Sequence, residues 1–278
     1  MRFGTIYYMA KFFDTHNHSQ FSPDSSATVM TLAERARSLG AAGITITDHI
    51  DLDAPREKDK FLFSVPEQQT EIERVAKIMG GDLKVLKGIE LGLQPESIEH
   101  TRQFVEGHSF DQVIVSVHFV DGLDPYLGTY YEDKDYHEAF GRMLELIYQT
   151  ARDFEDFDVI GHFDYVARYA PYKVKDIWYE DFPDHLDTLL KFLAREGKAL
   201  EINTKTYAWH GEHLQVLDLN ILRRFKELGG EFITLGSDSH DDKRVCENFE
   251  KYASIAEDCG FEYLTYFENR KPILYPVV

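Results

Sequence analysis

Short apolar, β-branched runs alternate along this chain with longer stretches whose apolar residues recur at helical spacing. The runs predict seven strands near 11–15, 43–48, 84–90, 112–117, 158–161, 199–203 and 232–236. The longer stretches predict seven helices near 29–39, 66–79, 97–106, 135–153, 184–196, 214–228 and 243–259. Leu186, Leu189, Leu190 and Leu193 make one apolar stripe at i, i+3, i+4, i+7; Leu214, Leu217, Ile221, Phe225 and Leu228 make another. Thr31-x-x-Glu34 and Ser64-x-x-Glu67 match a capping box, the first either at its helix start or a turn inside the helix. Strict β-then-α alternation implies parallel strands joined by right-handed crossovers. Several strands are apolar without interruption, as expected when both faces are covered. With no internal repeat, low-complexity linker or break in composition, residues 1–278 are expected to form a single domain.

Chemistry collects where the apolar runs stop. Six of the twelve histidines, His16, His18, His49, His118, His162 and His240, follow strand-like runs, and Glu90 and Asp238 occupy equivalent places. A carboxylate closing Val85-Leu86-Lys87-Gly88-Ile89 is costly to bury unless it is paired or binds metal. Only closure of the sheet brings all these strand ends together, so the pattern favours an α/β barrel with a metal site at the C-terminal ends of its strands. An open doubly wound sheet would focus function on one switch point instead. For His16 and His18 to share a site, the first strand must end or bulge there, because alternate residues of a strand face opposite ways. Imidazole with carboxylate and without thiolate suits Zn, Mn or Fe in a catalytic site, and the number of candidate donors exceeds the needs of one ion.

Thirty basic against forty-nine acidic residues leave a formal charge of −19, which opposes nucleic acid and anionic membranes at long range. Cys246 and Cys259 are expected in one helix, ~20 Å apart and therefore unpaired. Free thiols, no export signal and no run of transmembrane length suggest a cytoplasmic protein with no membrane partner. Two loops, 50–65 with Asp51, Asp53, Arg56 and Lys58, and 119–134 rich in Tyr, Asp and Gly, are placed to cover the site.

The motifs Asp14-Thr15-His16-Asn17-His18, Ser22-Pro23-Asp24, Thr47-Asp48-His49, Gly88-Ile89-Glu90, Ser116-Val117-His118, Gly161-His162 and Gly236-Ser237-Asp238-Ser239-His240 resemble those of the PHP (polymerase and histidinol phosphatase) superfamily. The resemblance implies a distorted (β/α)7 barrel with a trinuclear metal centre, two to three divalent ions being expected here. By that resemblance His16, His18, Glu90 and Asp238 hold a first metal. Glu90 bridges to a second, also bound by His118 and His162, and Asp24, His49 and His240 hold a third. Some relatives carry a histidine where Asp24 stands. Asp14 and Asp48 are candidates to orient imidazoles, or simple strand-end caps. Chain size, His118-Phe119-Val120-Asp121-Gly122, Gly161-His162-Phe163-Asp164-Tyr165, Leu200-Glu201-Ile202-Asn203-Thr204 and Arg270-Lys271-Pro272 are similar to monofunctional histidinol-phosphate phosphatases.

A divalent cluster lowers the pKa of bound water to ~7, so hydroxide is the expected nucleophile for a small-molecule phosphate monoester, and no protein nucleophile is required. Arg168 is the leading candidate for a forked contact to phosphate, with Lys205 second. Tyr130, Tyr131 and Tyr207 are candidates to stack on a substrate imidazole, and Asp121 or Asp164 to read its amine. Two rivals remain: a phosphodiesterase or other small-phosphate hydrolase, and a non-catalytic metal-binding module. The acidic charge and lack of a basic track oppose a nucleic-acid substrate.

Overall fold

The computed structural model describes residues 12–55 and 61–277. Its strands are Phe13–Asp14 (β1), Gly43–Ile46 (β2), His49–Ile50 (β3), Lys84–Gly92 (β4), Gln112–Ser116 (β5), Val159–Ile160 (β6), Ala199–Asn203 (β7), Trp209–His210 (β8), His213–Leu214 (β9), Ile233–Gly236 (β10), Tyr263–Glu268 (β11) and Lys271–Pro276 (β12). Its α-helices are Val29–Ser38 (α1), Val65–Met79 (α2), Ile98–Glu106 (α3), Tyr136–Phe154 (α4), Pro183–Glu196 (α5), Leu219–Glu227 (α6) and Phe249–Asp258 (α7).

Seven strands run parallel in the order β1-β2-β4-β5-β6-β7-β10, with β3 paired to the far end of β4. The two ends of that order meet. Thr15 N–H donates to Leu235 O at 3.0 Å, Asp238 N–H donates to His16 O at 2.9 Å, and Asn17 bridges Ser239 in parallel register. The sheet is therefore a nearly closed α/β barrel of seven strands with seven helices, as the alternation predicted. β2, β5, β7 and β10 are buried along their whole length, which explains their largely apolar sequences. Among the described residues, no helix is long and apolar enough to cross a membrane.

Local chemistry sets the helix boundaries, and two differ from expectation. The cap of α1 is Thr28, whose side chain accepts from Thr31 N–H while Thr31 reciprocates, so the box lies one turn before Thr31-x-x-Glu34. Ser64 caps α2 as predicted, accepting from Glu67 N–H. α6 starts at Leu219 under an Asp218 cap. Leu214 belongs instead to a β8–β9 hairpin and is 40% exposed, not part of the buried stripe. α7 starts at Phe249 because Cys246 and Asn248 adopt left-handed backbone, with φ of 57° and 63°. Cys246 thus lies outside the helix that leads to Cys259, and both thiols are free.

The chain ends in an antiparallel β11–β12 hairpin that the alternation did not predict. Its two-residue turn, Asn269-Arg270, has positive φ at both positions, the geometry that matches strand twist. The hairpin packs at the N-terminal end of the barrel: Tyr266 stacks on Phe13 with centroids 4.1 Å apart, and Asn269 and Arg270 N–H groups bond Asp111 just before β5. Arg270 also bonds Asp158 before β6 at 2.6 Å, so the Arg270-Lys271-Pro272 segment serves the barrel floor rather than the rim.

Candidate metal centre

The opposite rim carries the chemistry. β1 ends at Asp14, so His16 and His18 lie on irregular backbone where both rings turn inward; their Nε2 atoms are 3.0 Å apart. Glu90 projects from β4 with no exposure, His49 from β3, and His118, His162 and Asp238 each stand two residues beyond the ends of β5, β6 and β10. Asp24 and His240 come in from loops.

Glu90 is the centre of the cluster. Its Oε1 lies 2.8 Å from His162 Nε2, 3.2 Å from His118 Nε2 and 2.6 Å from the Ser116 hydroxyl. Its Oε2 lies 2.6 Å from His49 Nδ1, 3.4 Å from His16 Nε2 and 3.5 Å from His18 Nε2. Asp238 Oδ1 is 3.4 Å from both His18 Nε2 and His240 Nδ1. Asp24 Oδ2 is 3.2 Å from His240 Nε2 and 3.7 Å from His49 Nε2. All nine residues singled out from the sequence therefore meet.

The donors suit cations. Glu90, His118 and His162 form one group with donor atoms within 4.8 Å, His16, His18 and Glu90 another, and His18, His49 and His240 a third. His16 with His162 and Asp238, and His49 with Asp51 and His118, complete a connected cage. Two atoms are poorly served by protein alone. His49 Nδ1 and Glu90 Oε2 approach to 2.6 Å, yet neither atom has hydrogen-bonding geometry to any partner. Buried polar atoms rarely remain so. Nitrogen and oxygen donors without sulfur fit Zn, Mn or Fe.

Charge is balanced inside the cage. Burial alone would raise the Glu90 carboxyl, but His49, His16 and His118 hold it well below the carboxylate range. Burial would lower His16 and His118; Glu201 and Glu90 raise the first, Asp51 and Glu90 the second, so both end well above the usual histidine value. His18 goes down through burial and the neighbouring His49 and His240. Against its burial, Asp238 is pulled down by Lys205 and Arg168.

Two carboxylates that orient imidazoles were missed in the sequence. Glu201, within β7, receives His16 Nδ1 at 2.7 Å on one oxygen and the His162 N–H at 2.7 Å on the other. Asp51 receives His118 Nδ1 at 2.9 Å. Asp48 acts through an intermediary: it accepts from the Ser22 hydroxyl at 2.8 Å, and Ser22 meets His18 Nδ1 at 3.2 Å. Asp14 meets no imidazole; it accepts from Ser237 N–H at 3.0 Å and Cys246 N–H at 2.9 Å, and is a strand-end cap that ties the barrel seam.

Arg168 is buried beside the cage. It donates to Thr206 Oγ1 at 2.9 Å, Asp238 Oδ2 at 2.9 Å and Asn203 Oδ1 at 3.0 Å. Lys205 Nζ lies 3.1 Å from both Asp238 Oδ1 and His240 Nδ1. Both line the pocket above the imidazoles. Tyr130 and Tyr131 do not: their hydroxyls donate to Ala139 O and Val166 O in the core, and Tyr207 is buried on the far side of Arg168's support. The aromatic walls are Phe61, Phe119, Tyr165 and Tyr169 instead. Asp121 is clamped by Arg142 at 2.7 Å, and Asp164 is buried beneath Thr206, so neither lines this pocket. His210 and His213 sit in the β8–β9 hairpin, bonded to Thr206 O and Asp176. Arg56 and Lys58 lie outside the described residues.

Comparison with known proteins agrees with this architecture. The family model of the PHP domain matches residues 14–205. A histidinol-phosphatase of Lactococcus lactis subsp. lactis is 34% identical over 93% of this chain and 95% of its own length. A probable histidinol-phosphatase of Clostridium acetobutylicum is 33% identical over 93% of this chain and 97% of its own. The crystal structure of a histidinol phosphate phosphatase from Lactococcus lactis, complexed with zinc, L-histidinol and phosphate, superposes with a TM-score of 0.86. It is 33% identical and covers 95% of this chain and 99% of that one. Sequence motifs, a seven-stranded barrel with its imidazole rim, and relatives matched over nearly their full length coincide: the chain belongs to the PHP domain family.

Proposed function

We propose that the chain is a metal-dependent phosphomonoesterase hydrolysing L-histidinol phosphate to L-histidinol and phosphate, a step of histidine biosynthesis in the cytoplasm. The observation that carries this reading is the convergence of nine nitrogen- and oxygen-bearing residues at the barrel rim, with Glu90 at their centre. A relative of the same fold that holds zinc, L-histidinol and phosphate supports it.

In this reading His16, His18, Glu90 and Asp238 hold one ion, Glu90, His118 and His162 a second, and Asp24, His49 and His240 a third, two to three of Zn, Mn or Fe in all. Bound there, divalent ions supply Lewis acidity for activating water and neutralising phosphoryl oxygens. The chain's own part is charge and position. Arg168, fixed by three separate hydrogen bonds, presents a rigid guanidinium beside the cage, and Lys205 adds a second positive charge on the same side. Neither has to reorganise as a phosphate dianion arrives, which is the condition for effective electrostatic stabilisation. Phe61, Phe119 and Tyr165 wall the pocket and limit water around the ester.

A phosphodiesterase shares the need for such a cage, but the −19 charge disfavours a polyanionic partner. Metal-loaded protein is expected to turn over histidinol phosphate and to leave a dinucleotide untouched at equal loading. Faster cleavage of the dinucleotide refutes the proposal, and failure on every phosphoester tried favours a non-catalytic metal module.

A further inference from the structure

Arg168 can serve a phosphate well only if its plane is held. Each of its three nitrogens donates one bond to the protein: Nε to Thr206 Oγ1, one terminal nitrogen to Asp238 Oδ2 and the other to Asn203 Oδ1. A guanidinium carries five N–H groups and accepts nothing. The second N–H of each terminal nitrogen therefore remains for a forked contact, and Arg168 lines the pocket where the ester would lie. Two of its partners belong to the cage, Asp238 as a proposed ligand and Asn203 through Glu201 at 3.1 Å. Thr206 is the arm that leads elsewhere. Its hydroxyl donates to Asp164 Oδ1 at 3.1 Å, and Asp164 is 3% exposed.

We propose that Asp164 is a positioning residue for the phosphate ester: through Thr206 it fixes the plane of the Arg168 guanidinium. The inference rests on the phosphomonoesterase reading above. A hydroxyl has one proton. Because Arg168 Nε only donates, Thr206 Oγ1 must meet it with a lone pair, and the single proton has to point away. Asp164 Oδ1 is the acceptor that takes that proton. Without it the hydroxyl can turn its proton towards Nε–H, where two donors face each other and the guanidinium leaves its plane.

The backbone builds this arm with little slack. Asp164 precedes the short Tyr165–Arg168 turn that carries the guanidinium, and its carbonyl accepts from Ala167 N–H at 2.9 Å. Thr206 sits on the turn after β7. Its N–H donates to Asn203 O at 3.2 Å, and its carbonyl accepts from Ala208 N–H at 2.9 Å and meets His210 Nε2 at 3.0 Å. The Arg168 guanidinium also lies over the Tyr165 ring, 5.5 Å from its centroid. Asp164 itself faces a small enclosure with Phe163, Ala167, Ile177 and Ile221 on its walls and the Tyr207 phenol beside it. A carboxylate in such surroundings is costly to bury without a polar task, and an apolar side chain would fill the space at less cost.

The test is a double-mutant cycle on the metal-loaded full chain, with Asp164→Ala and Arg168→Ala made singly and together. Each protein is assayed on histidinol phosphate and on p-nitrophenyl phosphate. Asp164→Ala is expected to lose ~10–100-fold in kcat/KM, the scale for a displaced positioning group, with a similar rise in the inhibition constant of inorganic phosphate. Bound zinc should be unaltered, which a general loosening of the rim would not allow. In the Arg168→Ala background the second substitution should cause no further loss. Asp164→Asn, which keeps an acceptor for Thr206, should recover most of the activity. Losses that multiply in the double variant, or zinc lost together with activity, overturn the proposal, as does wild-type kcat/KM in folded Asp164→Ala. Should that variant not fold, Thr206→Val removes the same arm without the hydroxyl, and unimpaired turnover there is equally fatal. Wild type that cleaves p-nitrophenyl phosphate but not histidinol phosphate overturns the substrate reading alone, because the cycle run on the former still measures the arm.

Discussion

Replacing Glu201 by Gln is the sharpest probe of how the cage is organised. Glu201 is 1% exposed and uses both oxygens: one for His16 Nδ1, the other for the His162 N–H and for Asn203 Nδ2 at 3.1 Å. It therefore fixes which His16 nitrogen carries a proton and leaves Nε2 turned to Glu90 and His18. Gln keeps the shape but offers one oxygen and one amide. Either the amide confronts the His162 N–H, or it confronts His16 and drives a proton onto the nitrogen meant for metal. A hydrogen bond to a charged group is worth about 1.5–3 kcal/mol. Under the proposed assignment, metal affinity falls ~10–100-fold, the usual effect of removing the partner of a ligating histidine. Zinc competition against a chromophoric chelator measures this, with circular dichroism to show that the barrel persists. Turnover should recover in part at high metal concentration. Glu201→Gln protein that binds zinc as tightly as the wild type would refute the positioning role.

Metal uptake should release protons. His16 and His118 are held above the usual histidine value by Glu201, Asp51 and Glu90, so both carry protons at neutral pH that a cation must displace. Affinity should rise as pH climbs from the ordinary histidine range through their raised values, with protons released on binding. Calorimetry in buffers of different ionisation enthalpy tests it, and pH-independent binding contradicts it. Gly236→Ala should strike the same region: an added Cβ would lie 2.1 Å from Glu201 Oε1 and 2.7 Å from His16 Cβ. Both neighbours are pinned, so a loss of about 1–3 kcal/mol in stability is expected. An unchanged urea midpoint would show that the site yields more easily than its packing implies.

Much of the fold was legible because period and alternation are local signals: all seven barrel strands and seven helices fall near their expected places. What escaped depended on single residues or distant contacts. Left-handed Cys246 and Asn248 delay α7, and only tertiary packing reveals that the last hairpin supports Phe13. At the site, all nine candidate donors come together, because strand ends mark the rim. Glu201 was overlooked for the opposite reason. It sits inside β7, although the argument that exposed Glu90 applies equally to it: a carboxylate in a wholly buried strand needs a partner. Asp51 was hidden by the charged loop around it. The pocket aromatics were misplaced because sixteen tyrosines carry no signal of direction, and Tyr130 and Tyr131 turned out to be core.

The cage also explains how so many ionisable groups can be buried without metal. Glu90, Glu201, Asp51 and Asp238 supply negative charge; His16, His118, Arg168 and Lys205 stand next to them as positive partners. His18 is driven towards the neutral form, so its 3.0 Å approach to His16 becomes an N–H facing a lone pair instead of two like charges. Raised His16, His49 and His118 and lowered His18 and His162 thus share a carboxylate that stays ionised. Cations entering this arrangement displace those protons and take their place as positive partners of the acids, while the imidazole nitrogens are freed as donors. That is why the buried acids and the raised histidines belong to one design: removing either set leaves the other as uncompensated charge in a low-dielectric barrel.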